Sequence, residues 1–151
     1  MRTFSSLDEV SAAAGTDIGT SDWFEITQDR VNVFADATED HQWIHVDTER
    51  AASGPFGTTI AHGYLTLSLI PFLGAKVARF DLSGPTLNYG LNKVRFPQFV
   101  TVGSRVRDHL ALGDVTEVSH GLQVAMRHTI EIDGEDKPAC VAETLALLLK
   151  A

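Results

Sequence analysis

Cysteine is almost missing from this chain. Cys140 is its one thiol, so no disulfide can form within it, and a reducing compartment is the expected home. Long apolar runs are missing too. The most apolar stretch, Ala61–Phe80, is interrupted by His62, Lys76 and Arg79, whereas a membrane span needs about 18 or more apolar residues in a row. The N-terminus, MRTFSSLDEV, lacks the cationic-then-apolar order of a secretion signal. Positive charge is scarce: 12 Lys and Arg face 20 Asp and Glu, a formal net charge of −8. A general nucleic-acid binder needs a positive field and is excluded. An anion held by a local basic patch is not. There is no internal repeat, no interdomain linker, no phosphate-cradling P-loop and no dinucleotide glycine pattern. These absences leave a cytoplasmic protein whose residues 1–151 form one domain with a real core.

What is present changes period halfway. Ser6-Leu7-Asp8-Glu9 is a capping box and Gly15 a plausible stop. Residues 1–20 therefore read as an accessory N-terminal helix and linker. Asp22–Ile26 reads as a short strand. Thr27 can cap a helix through Thr38, with Val31, Phe34, Ala35 and Thr38 on one stripe. Residues 40–57 read as a long irregular loop with Gly54-Pro55-Phe56-Gly57 for its turns. Ala61–Arg79 is apolar nearly all round and predicts a long buried helix, bent at Pro71. Alternation then takes over in Thr86–Phe96, Ser104–Leu112, Leu122–Ile132 and Ala139–Lys150, punctuated by Gly84-Pro85, Gly103-Ser104, Gly113-Asp114 and Asp133-Gly134. The pattern predicts an α+β fold: an antiparallel sheet wrapped around a long central helix.

Within residues 34–72 lie two pieces of chemistry. Asp40 and His45 pair a carboxylate with an imidazole, which can hold a water between them and divide proton removal and delivery. On a helix, five residues put them about 140° apart, so convergence requires a loop or turn. Trp43, Ile44 and Val46 surround them, and partial burial would disfavour charge on both. The bland alternative is a capping acid and a polar-tipped core histidine. His62-Gly63 is the second piece. A helix start offers free N–H groups, and glycine allows close approach of a ligand, so Gly63 N–H is a candidate oxyanion donor. His62 reads as a residue that orders the loop. Ser68 reads as a hydroxyl bonded to its own helix backbone.

The segments TEDHQWIHVD and TTIAHGYLTLS, with the later NYGLNKVRF, resemble the MaoC-like, (R)-specific enoyl-CoA hydratases of the hotdog fold, most closely the nodulation-protein-N-like branch. The likeness spans roughly Ile26 to Val106. It implies Asp40 and His45 as the catalytic pair, Gly63 as the oxyanion donor, and His62 and Ser68 as supporting residues. The family often has Asn-Pro where this chain has Gln42-Trp43; Gln42 keeps an amide able to make the same bonds. The resemblance implies a lyase (a hydratase/dehydratase of fatty acid metabolism) interconverting trans-2-enoyl-CoA and (R)-3-hydroxyacyl-CoA as a homodimer. No cofactor is needed, because coenzyme A is part of the substrate; an acyl carrier protein thioester is an alternative carrier.

Lys93 and Arg95 share one face of a strand, and Arg105 and Arg107 do the same on the next; either pair could grip phosphates. Tyr89 lies on the first of these strands. His41, His45 and Asp47 are close in sequence, but no metal-site framework accompanies them, so no metal is expected. Cys140 reads as core, and His109, His120 and His128 as structural or solvated. Two rivals remain open. A hotdog thioesterase often carries an acid on the central helix, and Ala61–Phe80 has none. A non-catalytic acyl-thioester-binding module would bind substrate without turnover.

Overall fold

The computed structural model describes residues 1–151. Strand β1 (Arg2–Phe4) leads into helix α1 (Leu7–Ala12), capped by Ser6, whose hydroxyl accepts from Glu9 N–H at 3.2 Å. The carboxylate of Glu9 reaches back to the N–H of Ser5 at 2.7 Å, so the capping box is realised one residue further out than expected. Strands β2 (Asp17–Thr20) and β3 (Phe24–Glu25) follow, then helix α2 (Gln28–Thr38). Thr27 caps α2 through the N–H of Arg30. Two short helices, α3 (Trp43–Val46) and α4 (Thr48–Ala52), precede α5 (Gly63–Ser68) and α6 (Ile70–Gly74). The remainder is strand: β4 (Ala78–Phe80), β5 (Thr86–Arg95), β6 (Arg105–Val118), β7 (Gly121–Ile132) and β8 (Cys140–Leu149).

The main sheet runs β2-β6-β7-β8-β5, with β3 also on β6, and every pairing in it is antiparallel. One face of the sheet wraps α5 and α6. Leu65, Leu69, Ile70 and Leu73 from these helices pack with Val31 of α2 and Val106, Ile130 and Ala142 of the sheet. A second cluster joins Phe4, Val10 and Ala13 to Val77, Leu110, Val124 and Leu148. It lies under α1, which gives that helix its covering role.

Five expectations change. The long helix is two short ones. Pro71 has no N–H to donate and its ring crowds the preceding turn, so α5 ends at Ser68 and α6 restarts with Pro71 in its first turn. Residues 78 and 79, expected as its end, lie instead in β4, a parallel partner of β1. Residues 17–20, expected as linker, pair with β6. The segment 40–57 carries two helical turns, α3 and α4, rather than loop throughout. Gly113-Asp114 does not end a strand: β6 absorbs it as a bulge opposite β7, between Leu112 and Val115.

Candidate active site

Asp40 follows α2 directly. Glu39 turns the chain with a left-handed φ of 61°, and Asp40 Oδ1 then accepts weakly from the N–H of Gln42 at 3.4 Å. The carbonyl of Gln42 receives the N–H of His45, which closes α3. The side chain of Gln42 makes no hydrogen bond at the helix start. The required turn therefore lies between the acid and the histidine, with Asp40 before the helix and His45 on it.

His45 is 7% exposed. Its Nδ1–H donates to the carbonyl of Ile60 at 2.7 Å, which leaves Nε2 with the lone pair. That Nε2 has no partner within the chain and is not among the fully buried polar atoms, so it is open to solvent. Burial is the largest influence on the imidazole and pushes its pKa below the ordinary 6.5; the bond to Ile60 and the charge of Asp40 act the other way. Asp40 itself is 52% exposed, so of the two side chains only the imidazole is buried.

His62 is 2% exposed and its Nε2–H donates to the carbonyl of Asp40 at 2.9 Å, with Asp40 Oδ2 at 4.0 Å. Its ring is stacked on that of His45, and Phe34 closes its other side at 5.0 Å. His62 is thus the clamp that holds the Asp40 turn against the start of α5, the ordering role expected of it. A carboxylate oxygen of Asp40 and a ring nitrogen of each histidine lie within 4.8 Å of one another. This cluster replaces the sequence-adjacent trio of His41, His45 and Asp47; His41 instead pairs with Asp36 at 2.8 Å. A metal fits it poorly. The two rings lie face to face in nearly parallel planes, so their in-plane lone pairs do not converge on one ion.

Gly63 begins α5, and its N–H makes no backbone hydrogen bond. A Cβ at this position would stand 3.2 Å from the ring of Phe96. Phe96 follows Arg95, so the cationic end of β5 reaches the start of α5. Lys93 and Arg95 have no carboxylate within salt-bridge distance, whereas Arg105 and Arg107 are bound to Asp133 and Glu131. That difference leaves the β5 pair as the available cations. Tyr89 is 61% exposed on the same strand. Ser68 does not touch Asp40; its hydroxyl donates to the carbonyl of Tyr64 at 2.6 Å. Cys140 is buried, and burial followed by the charge of Asp108 pushes its thiol up to about 11, so it offers no nucleophile.

Gln28 was invisible to sequence reasoning. Its amide donates to the carbonyl of His45 (2.8 Å) and to Asn32 (2.9 Å), and its oxygen accepts from Thr59 (2.5 Å). The first residue of α2 therefore ties α3 to the segment leading into α5. Only its place at a helix start gave a signal, and that signal speaks of capping.

A hotdog sheet with an acid and two imidazoles gathered where its central helix begins defines a hydro-lyase of the MaoC type. The family model described as MaoC like domain matches residues 9–133, and the chain belongs to that family. It is 56% identical over 146 residues to 3-hydroxyacyl-thioester dehydratase Z of Mycobacterium tuberculosis, covering 96% of this chain and 97% of that one. It is 43% identical over 145 residues to nodulation protein N of Rhizobium meliloti, covering 94% and 90%. The fold is shared with the R-hydratase PhaJ1 of Pseudomonas aeruginosa, with TM-score 0.72 and 23% identity over 89% of this chain and 83% of that one. The (R)-hydratase of A. caviae matches at TM-score 0.72 and 22% identity, over 89% and 98%.

Proposed function

We propose that the protein reversibly hydrates a trans-2-enoyl thioester, with coenzyme A as carrier, to the (R)-3-hydroxyacyl thioester. The observation that carries this reading is the gathering of a carboxylate oxygen of Asp40 with a ring nitrogen of His45 and one of His62, within 4.8 Å of one another, at the residue that precedes Gly63 and the start of α5. In the hydration direction, water lies between the two side chains. Its oxygen bonds to C3 as a proton leaves for His45, whose neutral form burial favours. Electron density moves to the thioester oxygen, where Gly63 N–H donates to it. A proton then returns from the pair to C2, which restores the starting state with no cofactor. Acid–base assistance supplies about 10²–10⁴ and one oxyanion donor about 10²–10³, so substrate positioning must supply the remainder of an enzymatic acceleration. Lys93 and Arg95 would hold the carrier's phosphates.

Strand β5 supports a homodimer. It is an edge strand, and Leu87, Tyr89 and Leu91 along it are each more than 45% exposed. An apolar edge of this kind invites a second copy. The thioesterase rival is disfavoured, because neither α5 nor α6 carries a carboxylate.

The test is loss of enoyl-thioester absorbance with crotonyl-CoA and longer homologues, for the wild type and for Asp40→Asn and His45→Gln. Both variants should lose about 10²–10⁴ in kcat with circular dichroism unchanged. Undiminished turnover in either would defeat the site assignment. Release of free thiol in place of hydration would turn the reading to a hydrolase.

A further inference from the structure

The start of α3 has little to hold it. A helix of four residues does not stand by itself in water. Its N-cap, Gln42, makes no side-chain bond to it, and the Asp40 carboxylate reaches the N–H of Gln42 only at 3.4 Å. Further along, the backbone is tied down. The carbonyl of Ile44 accepts from the N–H of Ile60 at 3.0 Å, and that of His45 accepts from Gln28 at 2.8 Å. The N–H of Trp43, the first residue of α3, is an orphan donor of a helix start and bonds to no backbone group outside the helix. That leaves its side chain.

The indole of Trp43 meets α4 and the turn after it at two points. The guanidinium of Arg50 lies 4.2 Å from a ring centroid, within cation–π range. At Gly54 an added Cβ would stand 3.1 Å from the ring carbons Cη2 and Cζ3, so this edge of the ring rests on bare backbone. The seat is itself anchored. Asp47 caps α4 through the N–H of Arg50 at 3.0 Å. Gly54 donates to the carbonyl of Ala51 at 3.0 Å and accepts from the N–H of Gly57 at 3.2 Å. The backbone here would also suit a proline. Gln42 has φ −56° and ψ 134°, the extended region that the residue before a proline prefers. Position 43 is the first of the helix, where proline is favoured because the N–H it lacks has no acceptor to lose. Trp43 thus occupies by packing a place that a ring-locked backbone could hold covalently.

We propose that Trp43 is a positioning residue of the site: its ring, seated on Arg50 and Gly54, fixes where α3 begins and so holds His45, in the same helical turn, toward Asp40. Its part in turnover rests on the reading of Asp40 and His45 above; its seating of α3 does not. Trp43 acts through the backbone it holds. Any residue that holds the same backbone should therefore replace it, which no residue could do if the ring itself served the substrate.

The test removes the ring and then restores the constraint. Trp43→Ala keeps neither, Trp43→Pro loses the ring and keeps the backbone, and Gly54→Ala keeps the ring and crowds its seat. Each is compared with the wild type, with circular dichroism confirming the fold. The readouts are turnover of crotonyl-CoA and amide hydrogen exchange at His45 and Ile60, whose N–H groups are bound to the carbonyls of Gln42 and Ile44. Trp43→Ala should lower kcat by up to about 10²-fold with KM little changed, and should speed exchange at both amides. Trp43→Pro should recover most of kcat and the slow exchange. Gly54→Ala should cost more in the wild type than in the Trp43→Pro background, where no ring meets the added methyl; its contact with the carbonyl of Ala51 at 3.2 Å is common to both. If Trp43→Ala does not fold, the other two variants decide. Wild-type kcat and exchange in Trp43→Ala would overturn the role. So would a Trp43→Pro variant as impaired as Trp43→Ala, a loss confined to KM, or an equal cost of Gly54→Ala in both backgrounds. If the wild type turns over no thioester, the Asp40/His45 reading falls, and the exchange rates still decide whether Trp43 seats α3.

Discussion

The imidazoles of His45 and His62 stack with ring centroids 3.8 Å apart and planes inclined by 23°. The two residues are 17 positions apart in sequence (62 − 45), and their contact brings the Asp40 turn to the start of α5. His62 also holds the carbonyl of Asp40, so one side chain fixes both members of the proposed pair. Replacing His62 with Ala removes the stack and the clamp together. The expected result is a loss of about 10²-fold in kcat, the scale of a misplaced reacting group, with a smaller change in KM. Steady-state kinetics on crotonyl-CoA checks it, and a change confined to KM would contradict it.

His45 sets a pH dependence whose sign is fixed. Its folded pKa lies below the unfolded 6.5 because burial penalises the charged ring. Between the two values the unfolded chain binds more protons, so stability rises with pH across that window. The contribution is complete above about 6.5 and is lost as pH falls toward the folded pKa. Urea titrations of wild type and His45→Gln across mildly acidic pH should show a shallower acid loss in the variant. The same shift keeps the proposed base neutral, so the acid limb of kcat/KM should lie below 6.5.

Gln28→Leu removes three hydrogen bonds at once and strands the carbonyl of His45 and the hydroxyl of Thr59, which is 2% exposed. A buried polar group left unpaired costs about 1–3 kcal/mol. Chemical denaturation should report a loss of that order, and turnover should fall with it because α3 is no longer tied to α2. Gln28→Glu, which retains acceptor oxygens but not the donor, should recover only the Thr59 contact.

The edge formed by β5 gives a test of assembly. Leu91→Lys places a charge on a strand that is exposed along nearly its whole length in the single chain. If that strand pairs with its counterpart in a second copy, light scattering behind a sizing column should show the mass falling toward 16.4 kDa. An unchanged mass would remove β5 from the interface.

Much of the fold could be read locally. Ser6 and Thr27 cap the helices they were expected to cap, because a cap needs only three or four neighbouring residues. Strand β7 follows its alternation from Leu122 to Ile132, since one face meets the core. The two missed strands share one cause. β2 and β4 are only four and three residues long, too short for a period, and each exists because a distant strand pairs with it. The apolar run into residue 79 has a helical composition, yet Ala78–Phe80 is drawn to Arg2–Phe4.

Asp40, His45 and Gly63 could be singled out from the resemblance of their segments to a known family, whereas spacing said only that a turn must lie between Asp40 and His45 for them to face one another. What surrounds them could not be. That His62 stacks on His45, that Gln28 holds the carbonyl of His45, and that Phe96 lies on Gly63 are contacts between residues more than a dozen positions apart. The sequence by itself determined which groups could do chemistry and which helices would start where. Only the tertiary structure decided that Nδ1 of His45 and Nε2 of His62 are each spent on a carbonyl, because burial and hydrogen-bond partners come from chain segments that no local pattern connects.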